Sequence, residues 1–372
     1  NVPSSPLEVV VCLDCGLAQL LMDFPASELF GSDYGYRSSL NASMLSHLNS
    51  KAELLARYAH LEEGDVVVDI GANDGSFIEN EVFGSMKRIA IDPAISSLRD
   101  RYSRQTCVVP EMFSPALFWE ESGVRAKLVT SIAMFYDLPD PISFAKDVKS
   151  ILAPDGVWHL EQSYAPSMLR SNAYDTICHE HTEYYQISSL ERIFEQAGLK
   201  AVDASLNAVN GGSIALSVVH SENPRSQSNS LTWLRSQEVQ ESAKIVDEWR
   251  AFGRRTQRHR EHMLELFAFV EQVGATVSGV GASTKGNVLL QYCGLSPSTV
   301  QEIGEVNPDK FGRVTPGSLI PIVDEREFEV SRPDFLLVLP WHFRPQMETR
   351  FRSLLSGGLR LIFPLPTIEI VG

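Results

Sequence analysis

The sequence predicts an α/β protein: a central, mostly parallel sheet flanked by helices, a small N-terminal module before it, and a second, smaller α/β domain after it. Three observations point there. From Val66 to Glu161, short β-branched and apolar runs alternate with stretches of helical spacing, the pattern of strands buried on both faces. A glycine-bearing turn, Gly71 to Gly75, follows the first of those runs, where a strand should hand over to a helix. A second strand and helix alternation begins near Thr276, after a long polar segment.

Taken in order, residues 1–45 hold Cys12-Leu13-Asp14-Cys15-Gly16 and an aromatic, serine-bearing stretch from Asp33 to Ser39, and read as a small module. Leu45, Leu48, Leu54, Leu55 and Tyr58 fall at helical spacing, so a helix over Met44 to Leu61 should enter the central domain, residues 46–220. Strands are expected at Val66–Ile70, Arg88–Asp92, Thr106–Val109, Leu128–Phe135 and Val157–Glu161, with a helix over Pro141–Leu152. A helix from Ser189, closed by Gly198, precedes strands at Lys200–Leu206 and Ser213–His220. The turn residues Asn207 to Gly212 between them make an antiparallel hairpin the end of the sheet. Residues 221–372 open with a polar helical connection, free of glycine and proline between Arg225 and Ala251. Strands at Thr276–Gly281, Phe335–Leu339 and Arg360–Pro364, with a helix at Lys285–Tyr292, make the last domain.

A chain of 372 residues is long enough for two or three domains. With 44% hydrophobic and 21% charged residues it has an ordinary globular composition. The net charge of −15 argues against nucleic acid as a partner, because that affinity rests on clustered Lys and Arg. No apolar run approaches the roughly 20 residues that span a bilayer, and the N-terminus lacks signal-peptide character, so a cytoplasmic protein without a membrane partner is expected. Cys12, Cys15, Cys107, Cys178 and Cys293, odd in number and thinly spread, make no disulfide framework. The sequence starts at Asn1 and not at methionine, which leaves room for residues upstream.

The turn Asp69-Ile70-Gly71-Ala72-Asn73-Asp74-Gly75 sits where doubly wound sheets bind ligands, and Gly71 and Gly75 would admit a ligand close to the backbone. Tight turns favour glycine in any case, and a pyrophosphate-binding loop competes for the same pattern. The next strand ends in Asp92, about twenty residues on, where a carboxylate accepts hydrogen bonds from both ribose hydroxyls of an adenosine. Asp69 and Asn73 place a carboxylate and an amide where phosphates would want bare backbone donors. A cationic sulfonium amino acid suits that loop better, so the expected cofactor is S-adenosylmethionine, with S-adenosylhomocysteine as product. Glu111 and Met112 are expected to bracket adenine, and the run from Ala133 through Phe135 to Tyr136 to border the methyl donor.

After the fifth strand come Glu161-Gln162-Ser163-Tyr164 and then Tyr174 to Tyr185, dense in proton-handling groups and containing His179-Glu180-His181. Imidazole titrates near about 6.5, so a histidine oriented by Glu180 can take up a proton at neutral pH. A metal site is the alternative, but ligands two residues apart point to opposite sides of a strand and diverge on a helix. A polar loop accounts for one histidine more easily than for the whole cluster.

These motifs resemble the S-adenosylmethionine-dependent sugar C-methyltransferases that act on nucleotide-linked 4-keto-6-deoxyhexoses. The resemblance covers nearly the whole chain. It rests on Cys12 to Leu17, Tyr36-Arg37-Ser38-Ser39, Asp69 to Gly75, Cys178 to His181, Asn210 to Ser213, Gly281 to Asn287, Asn307-Pro308-Asp309-Lys310 and Leu339 to Phe343. It implies an N-terminal zinc-binding module, a class I Rossmann-like methyltransferase domain and a C-terminal Rossmann-like domain, with the nucleotide sugar held between domains. It implies roles in catalysis for Tyr36, Glu180 and His181, the last as general base, with His179 or Tyr36 as a donor to the enolate oxygen. Substrate contacts are expected from Ser38, Tyr136, Asn210, Lys285, Asn287, Asn307, Lys310, His342 and Arg344. Relatives hold zinc with two cysteine pairs, whereas only Cys12 and Cys15 are present here, and two thiolates do not close a tetrahedral site, so structural zinc is expected only if a second pair lies upstream. A redox role for that pair competes, although no thioredoxin-like strand and helix surround it. Cys178 stands where relatives carry tyrosine.

The reaction expected is C-methylation at C3, next to the ketone of a dTDP-linked sugar, by a monomeric enzyme. O-methylation of a sugar or related metabolite, and nucleotide-sugar binding without catalysis, are the competing functions.

Overall fold

A computed structural model describes residues 4–22, 24–30, 35–242 and 244–372. Asp33 and Tyr34 of the aromatic stretch lie outside the described residues. The chain divides into two compact units, one of residues 8–165 and 179–243, the other of residues 1–7, 166–178 and 244–372.

In the first unit, β1 (Val9–Val11) and β2 (Ala18–Leu20) form an antiparallel hairpin around the Cys12–Leu17 turn. The helix entering the main sheet runs Ala42–Tyr58, its start fixed by Asn41, whose side chain accepts from the backbone N–H of Ser43 at 3.0 Å and Met44 at 3.3 Å. Strands β3 (Val66–Ile70), β4 (Lys87–Ile91), β5 (Thr106–Val109), β6 (Ala126–Ile132) and β7 (Leu152–Ser163) follow, all parallel. The short β8 (Glu183–Tyr184) pairs with β2, so the N-terminal hairpin is completed by chain from far along the sequence. Helix Ile187–Ala197 ends at Gly198, whose φ of +69° is the left-handed cap that stops it. β9 (Leu199–Asn207) and β10 (Ser213–His220) form the closing antiparallel hairpin, with β10 inserted between β7 and β9. The sheet order is therefore β5-β4-β3-β6-β7-β10-β9.

Period-two alternation divides the core between the two faces of this sheet. Val66, Val68 and Ile70 of β3 pack with Trp158, Phe135 and Phe194 on one side, while Val67 packs with Phe77, Phe83 and Leu55 of the Ala42–Tyr58 helix on the other. Strand order reverses at β3, with β4 on one side and β6 on the other, which opens a crevice beyond its carboxyl end.

In the second unit, β11 (Val277–Val280), β12 (Ile303–Glu305), β13 (Ile322–Asp324), β14 (Phe335–Val338), β15 (Arg360–Phe363) and β16 (Glu369–Val371) form a sheet of order β13-β12-β11-β14-β15-β16, antiparallel only at β16. The three-residue strands β12, β13 and β16 carry no periodic signal in the sequence. Helix Ile245–Gln272 buries Trp249, Phe252, His259, Met263, Phe267 and Val270 at helical spacing. His259 is held by the Tyr174 hydroxyl at 3.0 Å and the Pro364 carbonyl at 2.6 Å. Among the described residues no helix is long and apolar enough to cross a membrane.

Candidate active site

A cavity of about 360 Å³ opens beyond the carboxyl ends of β3, β4, β6 and β7. Gly71, Asn73, Asp92, Glu111, Met112, Ala133, Tyr36, Ser38 and Asn210, all expected from the sequence, line it. Gly71 has φ +79°, and a Cβ there would lie 2.9 Å from Cγ of Met134, so glycine is required by both backbone and space. Gly75, at φ +77°, sits against the Tyr102 ring below the turn and does not line the cavity.

Asp92 is the cavity's best-placed acceptor. Its Oδ2 accepts the Asn73 backbone N–H at 2.9 Å and its Oδ1 that of Ala94 at 2.7 Å, which leaves each oxygen a lone pair for a ligand. Burial pushes its carboxyl above the ordinary range, and those two backbone donors oppose the shift. Asn73 adopts a left-handed φ of +50° and clamps a second segment with its side chain. Its Nδ2 donates to the Tyr36 carbonyl at 3.0 Å, and its Oδ1 accepts from the Ser38 N–H at 3.4 Å. Asp69 points beneath the turn, not into the cavity: it pairs in register with Thr130 of β6, and the Thr130 hydroxyl donates to its Oδ1 at 2.6 Å. Burial pushes this carboxyl up to about 7, with the Thr130 bond opposing and the Asp92 charge adding.

At the other end, Glu161 of β7 lines the cavity and is met by two basic side chains that sequence reasoning missed. Oε1 accepts from Nε2 of His47 at 2.6 Å, and Oε2 lies 2.7 Å from Nζ of Lys51. Burial alone would raise its pKa; the His47 hydrogen bond and the Lys51 charge outweigh it and bring Glu161 down to about 2. Lys51, buried on the apolar face of the Ala42–Tyr58 helix between Leu48 and Leu55, is the signal that something ionic waits opposite. Beside Glu161, Gln162 is 1% exposed, lines the cavity and has neither amide atom hydrogen-bonded among the described residues.

The residues after β6 differ from expectation. The strand ends at Ile132, Ala133 turns through φ +55°, and a short 3-10 helix spans Phe135–Asp137. This turn sends the Phe135 ring into the core against Trp158 and Tyr185, at 5.5 and 5.4 Å between centroids, so Phe135 does not line the cavity. Tyr136 packs on His181 with centroids 4.2 Å apart, and its carbonyl accepts from both the N–H and the hydroxyl of Thr182, at 2.9 and 3.0 Å. This packing holds His181 against Tyr136, and neither residue is among those lining the cavity. His179 packs edge-on against the Phe24 ring, with centroids 5.1 Å apart. Asp137 does line the cavity. Burial, and next the Glu180 charge, push its carboxyl well above the ordinary range.

Residues 208–366 match the profile of the C-methyltransferase C-terminal domain, and residues 44–204 that of a methyltransferase domain. The chain is 32% identical over 369 residues to C-methyltransferase NovU of Streptomyces niveus, covering 98% of this chain and 87% of that protein. The chain belongs to the C-methyltransferase family. A tRNA U34 carboxymethyltransferase of Campylobacter lari is 27% identical over 123 residues, 31% of this chain and 40% of that protein. An S-adenosylmethionine-dependent methyltransferase of Clostridium acetobutylicum matches with a TM-score of 0.38 and 12% identity over 47% of this chain and 92% of that one, too loose a likeness to carry an argument.

This C-methyltransferase depends on S-adenosylmethionine, and the cavity fits that cofactor. Asp92 would take the ribose hydroxyls, and Met112, Phe113, Leu138 and Phe144 give the adenine an apolar slot, the two phenylalanine rings 5.4 Å apart. Gln162 brings an unpartnered amide donor and acceptor to meet the amino-acid end.

The remaining expected residues of the C-methyltransferase belong to the second unit. Lys285 is buried and donates to the Thr176 hydroxyl at 3.3 Å; burial lowers its pKa, and the Asp175 carboxylate opposes that. Asn287 Oδ1 and His342 Nδ1 have no hydrogen-bond partner among the described residues, and burial, then the Lys285 charge, bring His342 down to about 3. Asn307 caps the turn that follows β12 by accepting from Asp309 N–H at 3.1 Å, and Lys310 is folded onto the Ala282 carbonyl at 2.8 Å. Arg344 is engaged by Glu348 and Glu369 at 2.8 and 2.6 Å. In the first unit, Cys12 and Cys15 sit in the turn between β1 and β2, and among the described residues no group of three His, Cys, Asp or Glu side chains is placed to hold a metal.

Proposed function

We propose that this enzyme methylates a carbon next to the ketone of a nucleotide-linked 4-keto-6-deoxyhexose. The observation that carries the reading is the group of proton-handling residues around the cofactor cavity's Asp137, with His181 packed on the neighbouring Tyr136 and the Glu180 charge felt at Asp137, in a chain whose relative is a C-methyltransferase. A carbon nucleophile needs a base, because a C–H bond must be broken before the new C–C bond forms. His181 takes the α-proton, and Glu180 stabilises the imidazolium. The substrate's carbonyl oxygen holds the resulting enolate charge, with Tyr36 reaching the same space from its pinned segment. S-adenosylmethionine supplies the methyl group and leaves as S-adenosylhomocysteine. In the second unit, considered by itself, Lys285, Asn287, Asn307, Lys310 and His342 follow the carboxyl ends of the parallel strands and are the groups proposed for nucleotide binding.

A 4-ketone acidifies both C3 and C5, and C3 is the position we propose. The test is incubation of the full chain with dTDP-4-keto-6-deoxyglucose and cofactor in heavy water, read by NMR. A new methyl group on C3 in place of the C3 proton, with deuterium at C3 of the unmethylated sugar, supports the proposal, and a methyl group on C5 with label at C5 of the unmethylated sugar moves the site to the other flank. A methyl group on oxygen with no exchange refutes carbon methylation. His181→Gln should lower kcat by about 10²-fold or more; full activity in that variant removes the base assigned here.

A further inference from the structure

Asp137 lines the cavity with a buried Oδ1 that has no hydrogen-bond partner among the described residues, whereas the other lining carboxyl without one, Glu111, is exposed to solvent. Asp92 is tied by two backbone donors and Glu161 by His47 and Lys51. The backbone that carries it is tied on both sides. Phe135 anchors one side of the short helix in the aromatic core, the Tyr136 carbonyl takes two hydrogen bonds from Thr182, and Asp137 N–H closes the turn on the Met134 carbonyl at 3.1 Å. An ionised carboxylate in such a place is costly, since it is desolvated, lacks a cation and feels the like charge of Glu180. The neutral acid avoids that cost and carries an O–H that needs an acceptor.

We propose that Asp137 is a further catalytic residue, a neutral carboxylic acid that donates its hydrogen bond to the acceptor's ketone oxygen and stabilises the enolate. The inference rests on the keto-sugar reading above. The α C–H bond breaks with its proton going to His181, and the electron pair delocalises onto the carbonyl oxygen. It returns to form the C–C bond as the methyl is taken, and the ketone is restored. Asp137 keeps its proton throughout, so the step requires no other reactant. The value of such a donor lies in its being preoriented in a dry site, aimed where charge develops.

Three readouts on Asp137→Asn and Asp137→Ala test this. With dTDP-4-keto-6-deoxyglucose and S-adenosylhomocysteine in heavy water, Asp137→Ala should exchange the α-proton 10²-fold to 10³-fold more slowly than the unaltered protein, on the order of the loss of one oxyanion donor. Asp137→Asn, which keeps an N–H donor, should recover to within about tenfold of the unaltered rate. S-adenosylhomocysteine affinity by calorimetry should move less than about threefold in both, which also reports that both are folded. An infrared difference spectrum at neutral pH should show a protonated carboxyl band lost in Asp137→Asn, a readout independent of turnover. Unchanged exchange in Asp137→Ala, absence of that band, or a collapse of cofactor affinity that marks an ionised partner of the cofactor each overturns the inference and leaves the keto-sugar reading intact. No exchange by the unaltered protein overturns the keto-sugar reading first, and the role of Asp137 with it.

Discussion

Glu161 offers the most quantitative test of the cavity's electrostatics. Its carboxyl is brought from an ordinary 4.5 to about 2 by His47 and Lys51. At 1.36 kcal/mol per tenfold, that difference corresponds to about 3 kcal/mol of folding stability. The side chain is only 3% exposed, so solvent screening takes little from this figure. Because the folded-state value is depressed, folding favours the ionised form. The contribution is complete above the unfolded value near 4.5 and is lost as the pH falls through about 2. Roughly 2 kcal/mol of it should already be gone at pH 3, leaving about 1.4 kcal/mol. Denaturant unfolding of the unaltered protein and of Glu161→Gln between pH 7 and pH 3 reads this directly, the stability gap between them narrowing as the pH falls. Lys51→Met, which strands a buried carboxylate beside His47 alone, should cost about 3–5 kcal/mol at pH 7. A gap that stays constant with pH, or a Lys51→Met variant as stable as its parent, would refute the buried ionic cluster.

Further outcomes follow from the cofactor turn and its surroundings. Asp92→Asn should weaken S-adenosylhomocysteine by about 1.5–3 kcal/mol, the worth of hydrogen bonds to a charged acceptor, as read by calorimetry. Gly71→Ala combines a φ of +79° with a Cβ 2.9 Å from Met134, and should destabilise the fold by about 1–3 kcal/mol in denaturant titration. Phe135→Ala should cost about 3–5 kcal/mol of stability while leaving cofactor affinity per folded molecule within about threefold, because its ring fills the core and not the cavity.

What the sequence made legible was local. A buried β-branched strand, a glycine turn and an acidic residue one strand later are short-range patterns, and the structure builds the cavity around Gly71 and Asp92. Orientation was harder to read. Asp69 lies one residue from the end of β3, but strand periodicity puts it beside Thr130 of β6, where a hydrogen bond within the sheet claims it. The apolar run through Phe135 reads as continued strand, whereas the chain leaves the sheet at Ile132 and coils. That coil exchanges the expected Phe135 for Asp137 at the wall. The His47, Lys51 and Glu161 cluster joins residues more than a hundred positions apart, and only the packing of a helix against β7 makes them neighbours.

Asn73 shows how the two halves of the cavity are joined. A left-handed turn position tolerates glycine best, and asparagine next. Glycine would satisfy the backbone, but it would lose both bonds to Tyr36 and Ser38. The same residue's N–H is held by Asp92, the carboxylate assigned to the ribose. One asparagine therefore connects the cofactor acceptor to the segment carrying Tyr36, so ordering at Asp92 is transmitted to Tyr36 through two hydrogen-bonded groups of one rigid residue. Its side chain is explained by that clamp, and the choice of asparagine over glycine at this turn follows from acceptor-side geometry as much as from the cofactor.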